Sequence, residues 1–267
     1  MIIGNKVYND RVYIMGILNV TPDSFSDGGR FNDLDSALYR AEQIVNEGGD
    51  IIDIGGESTR PGHIQISDQE EIERTAPIIE AVSRCFELPV SIDTYKSRVA
   101  EAALQAGASL VNDIRGFKYD KDIAAVTAKY GAACCLMHNR DNTDYKNLSD
   151  DINADLKESI NIALNAGVER EKICIDPGIG FGKTYEQNLA TLKNLEKLND
   201  LGYPVLLGTS RKSVIGLTLD LPADQRLEGT IATSVLGVMK GCRFLRVHDV
   251  CENKRAVLMT ERILNID

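Results

Sequence analysis

The chain has 267 residues, 43% hydrophobic and 26% charged, which is enough apolar surface for a full core and excludes a disordered polypeptide. A formal net charge of −10 argues against nucleic acid or an anionic membrane as a partner, because binding phosphates needs a basic face. Met1 to Asn9 lack a basic start and a long apolar core, and no later segment approaches the roughly 18 unbroken apolar residues of a membrane span, so a cytoplasmic protein is expected.

Eight strands are predicted in chain order: Val12 to Leu18, Ile51 to Ile54, Pro89 to Ile92, Ser109 to Asn112, Ala132 to Met137, Lys172 to Ile175, Tyr203 to Leu207 and Arg243 to Val247. Most are continuous apolar runs, as expected of strands buried on both faces. Helix-period segments alternate with them, such as Leu34, Ala37, Leu38, Ala41, Ile44 and Val45, which stop at Gly48-Gly49, a C-cap signal. Strand and helix alternating eight times predict an α/β protein, a (β/α)₈ barrel forming one domain over 1–267. Residues 2 to 11 are expected to form a short N-terminal hairpin or cap below it.

The six cysteines, Cys85, Cys134, Cys135, Cys174, Cys242 and Cys251, contain no C-x-x-C and are expected to be reduced core thiols. Cys134 and Cys135 are neighbours on a predicted strand and so point to opposite faces, which prevents them from sharing a metal.

Every predicted strand ends in polar residues: Asn19, Glu57 to Arg60, Asp93, Asn112 with Asp113, His138, Asp176, Ser210 to Lys212, and Arg246 to His248. One such residue satisfies loop backbone as readily as it binds a ligand, but eight together mark the rim where barrel enzymes place their chemistry. The stretch Asp176-Pro177-Gly178-Ile179-Gly180-Phe181-Gly182-Lys183-Thr184 is the strongest single signal, a buried strand delivering a carboxylate to a glycine-rich turn. Gly182-Lys183-Thr184 looks like the end of a phosphate-binding P-loop, but Pro177 stands where that pattern requires glycine. Helix capping is the competing reading for Asp93 and Asp113, since a helix over Thr94 to Gln105 is predicted to follow Asp93. Asp93 is assigned to a ligand and Asp113 to a cap. His63 and His138 are read as loop or rim histidines.

These motifs, together with Met15 to Gly29 and Gly56-Glu57-Ser58-Thr59-Arg60-Pro61-Gly62, closely resemble the dihydropteroate synthase family over essentially the whole chain. The resemblance implies condensation of 6-hydroxymethyl-7,8-dihydropterin diphosphate with p-aminobenzoate to 7,8-dihydropteroate and pyrophosphate in folate biosynthesis, with Mg²⁺ accompanying the diphosphate. Carbocation-like loss of pyrophosphate is the expected route. Carried over by motif position, the resemblance implies that Asp93, Asn112, Met137, Asp176, Phe181 and Lys212 line the pterin pocket, with Ile114 as a further ring contact. It implies that Asn19, Thr59, Arg246 and His248 hold the diphosphate, Asn19 also binding the metal. Phe25, Thr59, Arg60, Pro61, Phe181 and Ser213 would form the p-aminobenzoate site, and Asp27 would help to stabilise the cation. Asp27, Lys212, Arg246 and His248 are thus the expected catalytic set. The chemistry of these residue types suits the task, because a pterin edge offers donors beside acceptors and needs carboxylates, an amide and a cation opposite them. An unpaired buried edge group would cost about 1–3 kcal/mol, which is how such a pocket rejects the wrong heterocycle. The resemblance further implies competition by sulfonamides, which mimic p-aminobenzoate, and a homodimer formed through outer helices. The glycine- and proline-rich segments 21 to 30 and 59 to 67 are expected to act as lids. A noncatalytic pterin-binding paralogue and, distantly, a corrinoid-linked pterin methyltransferase domain are the alternatives.

Overall fold

The computed structural model describes residues 1–21, 30–58 and 65–265, with the backbone alone for 30–33. β1 (Ile2–Ile3) and β2 (Lys6–Val7) pair antiparallel as the expected hairpin. The barrel strands then alternate with helices: β3 (Tyr13–Asn19), α1 (Arg30–Asn46), β4 (Ile51–Gly55), α2 (Asp68–Cys85), β5 (Val90–Asp93), α3 (Ser97–Gln105), β6 (Leu110–Asp113) and α4 (Ile123–Lys129). After them come β7 (Ala133–Met137), α5 (Leu148–Asn165), β8 (Ile173–Asp176), α6 (Tyr185–Lys193), β9 (Leu206–Leu207), α7 (Ser213–Leu219), α8 (Leu227–Met239), β10 (Phe244–Val247) and α9 (Val250–Leu264). The sheet order is β8-β7-β6-β5-β4-β3-β10-β9, and a parallel bridge between Ile175 and Val205 closes it into a (β/α)₈ barrel.

Period-2 alternation sorts each strand into two faces. On β4, Ile52 and Ile54 belong to the large cluster between strands and helices, while Ile51 belongs to a second cluster inside the barrel. Tyr13, Met15, Leu110, Ala133, Cys135, Cys174, Leu206 and Phe244 share that interior with Ile51, and Ile3 of the hairpin and Tyr8 just after it pack into the same cluster. Tyr13 stacks on Phe244 with ring centroids 5.7 Å apart. Gly16 lets α1 approach β3, since a Cβ there would lie 2.6 Å from Ile44 Cγ2. Ile44 is thereby fully buried, worth about 1.5–3 kcal/mol.

Two predicted boundaries shift for identifiable reasons. The strand expected over Tyr203 to Leu207 is reduced to Leu206–Leu207 because Pro204 has no N–H for the ladder and can only accept, its carbonyl bonding Ile175 N at 3.0 Å. The helix expected from Thr94 starts at Ser97, since Thr94 N still bonds Asn112 O at 3.1 Å in strand fashion. Four cysteines are buried as expected, but Cys85 is exposed and Cys251 half-buried, because both lie on helices rather than strands.

Candidate active site

The inward parity that places Tyr13, Ile51, Leu110, Cys174 and Phe244 inside the barrel carries Asn19, Asp53, Asn112, Asp176 and Arg246 to its upper end. There Arg246 acts as a clamp: its Nε donates to Asp53 Oδ2 at 2.6 Å and its Nη2 to Asp93 Oδ2 at 2.6 Å. Asn112 Nδ2 also donates to Asp53 Oδ2, at 3.3 Å. The other oxygens, Asp53 Oδ1 and Asp93 Oδ1, are buried with no hydrogen-bond partner among the described residues. Two buried acceptors without donors are costly alone, about 1–3 kcal/mol each, and suit the N–H groups of a ligand. Burial pushes the Asp93 carboxyl up to about 7, against the pull of the Arg246 guanidinium, with neighbouring Asp53 adding to the rise.

Asp93 does not cap a helix. Asp120 Oδ2 takes that role for α3 by accepting from Ser97 N at 2.7 Å. Asp113 is fully buried and accepts from Arg115 N at 2.6 Å and Phe117 N at 2.9 Å, so it holds a turn rather than the cap expected of it.

Asp176 and Lys212 form the opposite side of the mouth. Asp176 Oδ1 accepts from Gly178 N at 2.6 Å, opening the glycine-rich turn, and burial raises its carboxyl. Lys212 Nζ donates to Ile179 O at 2.6 Å and lies 4.8 Å from the centre of the Phe181 ring. Burial draws its ammonium down to about 8, partly opposed by Asp176. Both groups approach Gly208: a Cβ there would lie 3.7 Å from Asp176 Oδ2 and 3.9 Å from Lys212 Nζ. Met137 packs with Tyr95 and Ile114, and Phe181 lies against them, so the two expected ring contacts and Ile114 form one apolar wall. Thr184 is no phosphate ligand of a P-loop but the N-cap of α6, in a reciprocal capping box with Gln187.

The turn Ser210-Arg211-Lys212 is built to hold its place. Arg211 sits at φ 59°, a conformation costing about 1–3 kcal/mol outside glycine. Its N–H donates to Thr230 Oγ1 at 3.1 Å, its carbonyl accepts from Arg226 Nη1 at 2.9 Å, and its guanidinium pairs with Asp249. Ser210 Oγ accepts from His248 N at 3.1 Å and is hydrogen-bonded to His248 Nδ1 at 2.9 Å, so the one hydroxyl orients the ring. The His248 carbonyl accepts from Arg40 Nη2 at 2.6 Å.

Asn19 is exposed at the end of β3, opposite Gly55 of β4. No group of three His, Cys, Asp or Glu side chains that could hold a metal occurs among the described residues. One rim amide nevertheless fits Mg²⁺, which keeps most of its waters and takes few protein oxygens when substrate phosphates supply the rest. Ser213 opens α7 and is exposed. Phe25, Asp27, Thr59, Arg60, Pro61 and His63 lie outside the described residues, as do the centres of both expected lids. His138 is no rim histidine: it is 2% exposed, with both ring nitrogens engaged.

Sequence reasoning missed Asp53, the strongest partner of Arg246. Its signal was present, a lone carboxylate inside the apolar run Ile51-Ile52-Asp53-Ile54. It also missed the buried set in which Lys96 Nζ donates to Glu57 Oε2 and Glu71 Oε2, both at 2.7 Å, while Tyr95 Oη donates to Glu57 Oε1 at 2.5 Å.

A barrel mouth that gathers buried carboxylates, an amide, a lysine and an arginine beside an apolar wall has the donors, acceptors and flat contact that suit a polar heterocycle. Residues 15–248 match the model of the family described as pterin binding enzyme, and the chain belongs to that family. Within it the chain groups with the dihydropteroate synthases. The dihydropteroate synthase of Clostridium beijerinckii is 63% identical over 267 residues, covering 99% of each chain. A crystal structure of the Clostridium difficile dihydropteroate synthase in the presence of pteroic acid superposes with a TM-score of 0.95 at 54% identity, covering 97% of this chain and 99% of that one. The Xanthomonas albilineans dihydropteroate synthase with 4-aminobenzoic acid gives a TM-score of 0.92 at 38% identity, covering 97% and 95%.

Proposed function

We propose that the barrel mouth joins a 6-hydroxymethyl-7,8-dihydropterin diphosphate to p-aminobenzoate, forming 7,8-dihydropteroate and releasing pyrophosphate. The observation that carries this reading is the pair of buried oxygens, Asp53 Oδ1 and Asp93 Oδ1, that have no hydrogen-bond partner among the described residues, in a site that also holds Asp176 and Lys212. Acceptors and a cation in one pocket match the donors and acceptors along a pterin edge. Asn112 completes the polar rim, and Met137 and Phe181 provide the apolar contact for the ring.

Bond cleavage at the pterin methylene sends the electron pair to the departing pyrophosphate and leaves a cationic pterin. Arg246 and His248 stabilise the growing negative charge, the arginine through its guanidinium and the histidine through a ring N–H. Thr59 and Asn19 join them at the diphosphate. Mg²⁺ held at Asn19 supplies charge neutralisation to the diphosphate oxygens when bound. Asp27 helps to stabilise the cation, and the arylamine nitrogen then forms the new C–N bond with its lone pair and loses a proton to solvent. No base is required, because an arylamine is already a neutral nucleophile. Phe25, Thr59, Arg60, Pro61, Phe181 and Ser213 receive p-aminobenzoate, and sulfonamides compete with it there. A homodimer is supported by exposed Met239 on α8 and Leu258, Met259 and Ile263 on α9. Among the described residues no helix is long and apolar enough to cross a membrane.

The test mixes the purified protein with the pterin diphosphate and Mg²⁺, with and without p-aminobenzoate, then measures pyrophosphate and identifies the pterin product by mass. Dihydropteroate formation is expected. Pterin binding with neither release nor product would replace this reading by the noncatalytic paralogue, and no pterin binding would overturn it.

A further inference from the structure

Behind the glycine-rich turn lies a partly buried polar chain that the proposed reaction does not use. Lys183 Nζ donates to His138 Nδ1 at 2.8 Å, to Gly178 O at 3.0 Å and to Phe181 O at 3.1 Å, which uses all three of its protons. Since His138 Nδ1 accepts, its Nε2 carries the hydrogen and donates to Asp155 Oδ2 at 3.0 Å, an oxygen that also takes Arg140 Nε at 2.6 Å. The chain of contacts therefore runs from α5 through the barrel wall to the turn. Gly178 sits at φ +68°, where a Cβ would come within 1.9 Å of His138 O, so the turn is pressed directly onto His138.

The two carbonyls that Lys183 holds, at 178 and 181, flank the one at 179 that accepts from Lys212. Phe181, whose carbonyl Lys183 grips, is also the ring lying 4.8 Å from Lys212 Nζ. We propose that Lys183, seated on His138, is a positioning residue: it shapes the 178–181 turn so that Ile179 O and the Phe181 ring set where Lys212 presents its ammonium to the pterin. This rests on the proposed pterin site and adds to it a residue that never touches substrate. Burial is consistent with a seated group, drawing the Lys183 ammonium down to about 7 and keeping the His138 ring neutral, at about 3.

A double-mutant cycle tests it, using Lys183→Met, Lys212→Met and the combination. Affinity for the pterin diphosphate with Mg²⁺ is read by calorimetry, and KM for both substrates by pyrophosphate release. Lys183→Met should weaken pterin affinity about tenfold and raise KM for the pterin diphosphate, with KM for p-aminobenzoate unchanged. In the Lys212→Met background the same change should alter affinity less than about twofold, because Lys183 acts through Lys212. A role in stability alone would lower the folded fraction and the maximal rate while leaving both KM values in place. That outcome, or an equal loss in both backgrounds, would overturn the proposal. If Lys183→Met does not fold, Lys183→Gln is read by the same cycle and the same criteria. Should the wild-type protein fail to bind the pterin diphosphate, the site assignment itself falls; wild-type binding with an unaffected Lys183→Met variant removes Lys183 alone.

Discussion

Replacing Asp53 with Ala should damage both the fold and the pocket, by amounts the Arg246 clamp sets. Asp53 is fully buried, and its Oδ2 accepts from Arg246 Nε at 2.6 Å and Asn112 Nδ2 at 3.3 Å. Removing one partner of a buried ion pair costs about 3–5 kcal/mol, because the other charge is left without compensation. Here the guanidinium keeps Asp93 at 2.6 Å, so the lower end, about 3 kcal/mol, is expected, roughly a hundredfold in the folding equilibrium. Losing a neighbouring negative charge should also let the Asp93 carboxyl relax downward, since Asp53 helps to raise it. Urea unfolding followed by circular dichroism gives the stability change, and an unchanged denaturant slope would place the effect in the native state. Pterin affinity, by calorimetry, should fall at least about tenfold, as a misdirected Arg246 and a missing acceptor act together. A destabilisation below about 1 kcal/mol with pterin affinity intact would refute the clamp as the organiser of the pocket.

Ser210→Ala leaves His248 without the hydroxyl that orients its ring, so turnover of the pterin diphosphate should fall about tenfold while p-aminobenzoate KM holds; unchanged turnover would show that the hydroxyl does not position His248. Gly178→Ala combines a left-handed φ with a Cβ clash of 1.9 Å against backbone, and should lower the thermal midpoint and abolish pterin binding; a variant with normal binding would show that the turn yields freely. Burial raises Asp113 to about 7, above its unfolded range near ~4, so its contribution to stability is fully present below ~4 and is lost as pH rises through about 7. Stability curves measured from pH 5 to 8 should therefore fall less steeply for Asp113→Asn than for wild type, by up to about 1.4 kcal/mol per pH unit, and parallel curves would contradict the assignment. A sulfonamide should raise KM for p-aminobenzoate without changing the maximal rate; a reduced maximal rate at saturating p-aminobenzoate would place it elsewhere.

Local sequence was enough to determine the eight strands and the identity of most rim residues, because two short-range rules coincide. Apolar runs long enough to be buried on both faces mark the strands, and the period of two decides that a residue two beyond an interior apolar side chain also faces inward. Asn112 follows Leu110, Asp176 follows Cys174, and Arg246 follows Phe244 by that rule. What the tertiary structure alone decided are the pairings across the barrel. Arg246 meets Asp53 and Asp93 from strands 193 and 153 residues away, and Lys183 meets His138 over 45 residues. No periodicity encodes such distances; closure of the sheet by Ile175 and Val205 brings these charges together in a medium where an unpaired one is expensive. The sequence marked which groups reach the mouth of the barrel, and packing determined which of them are already paired and which buried oxygens remain to meet a ligand.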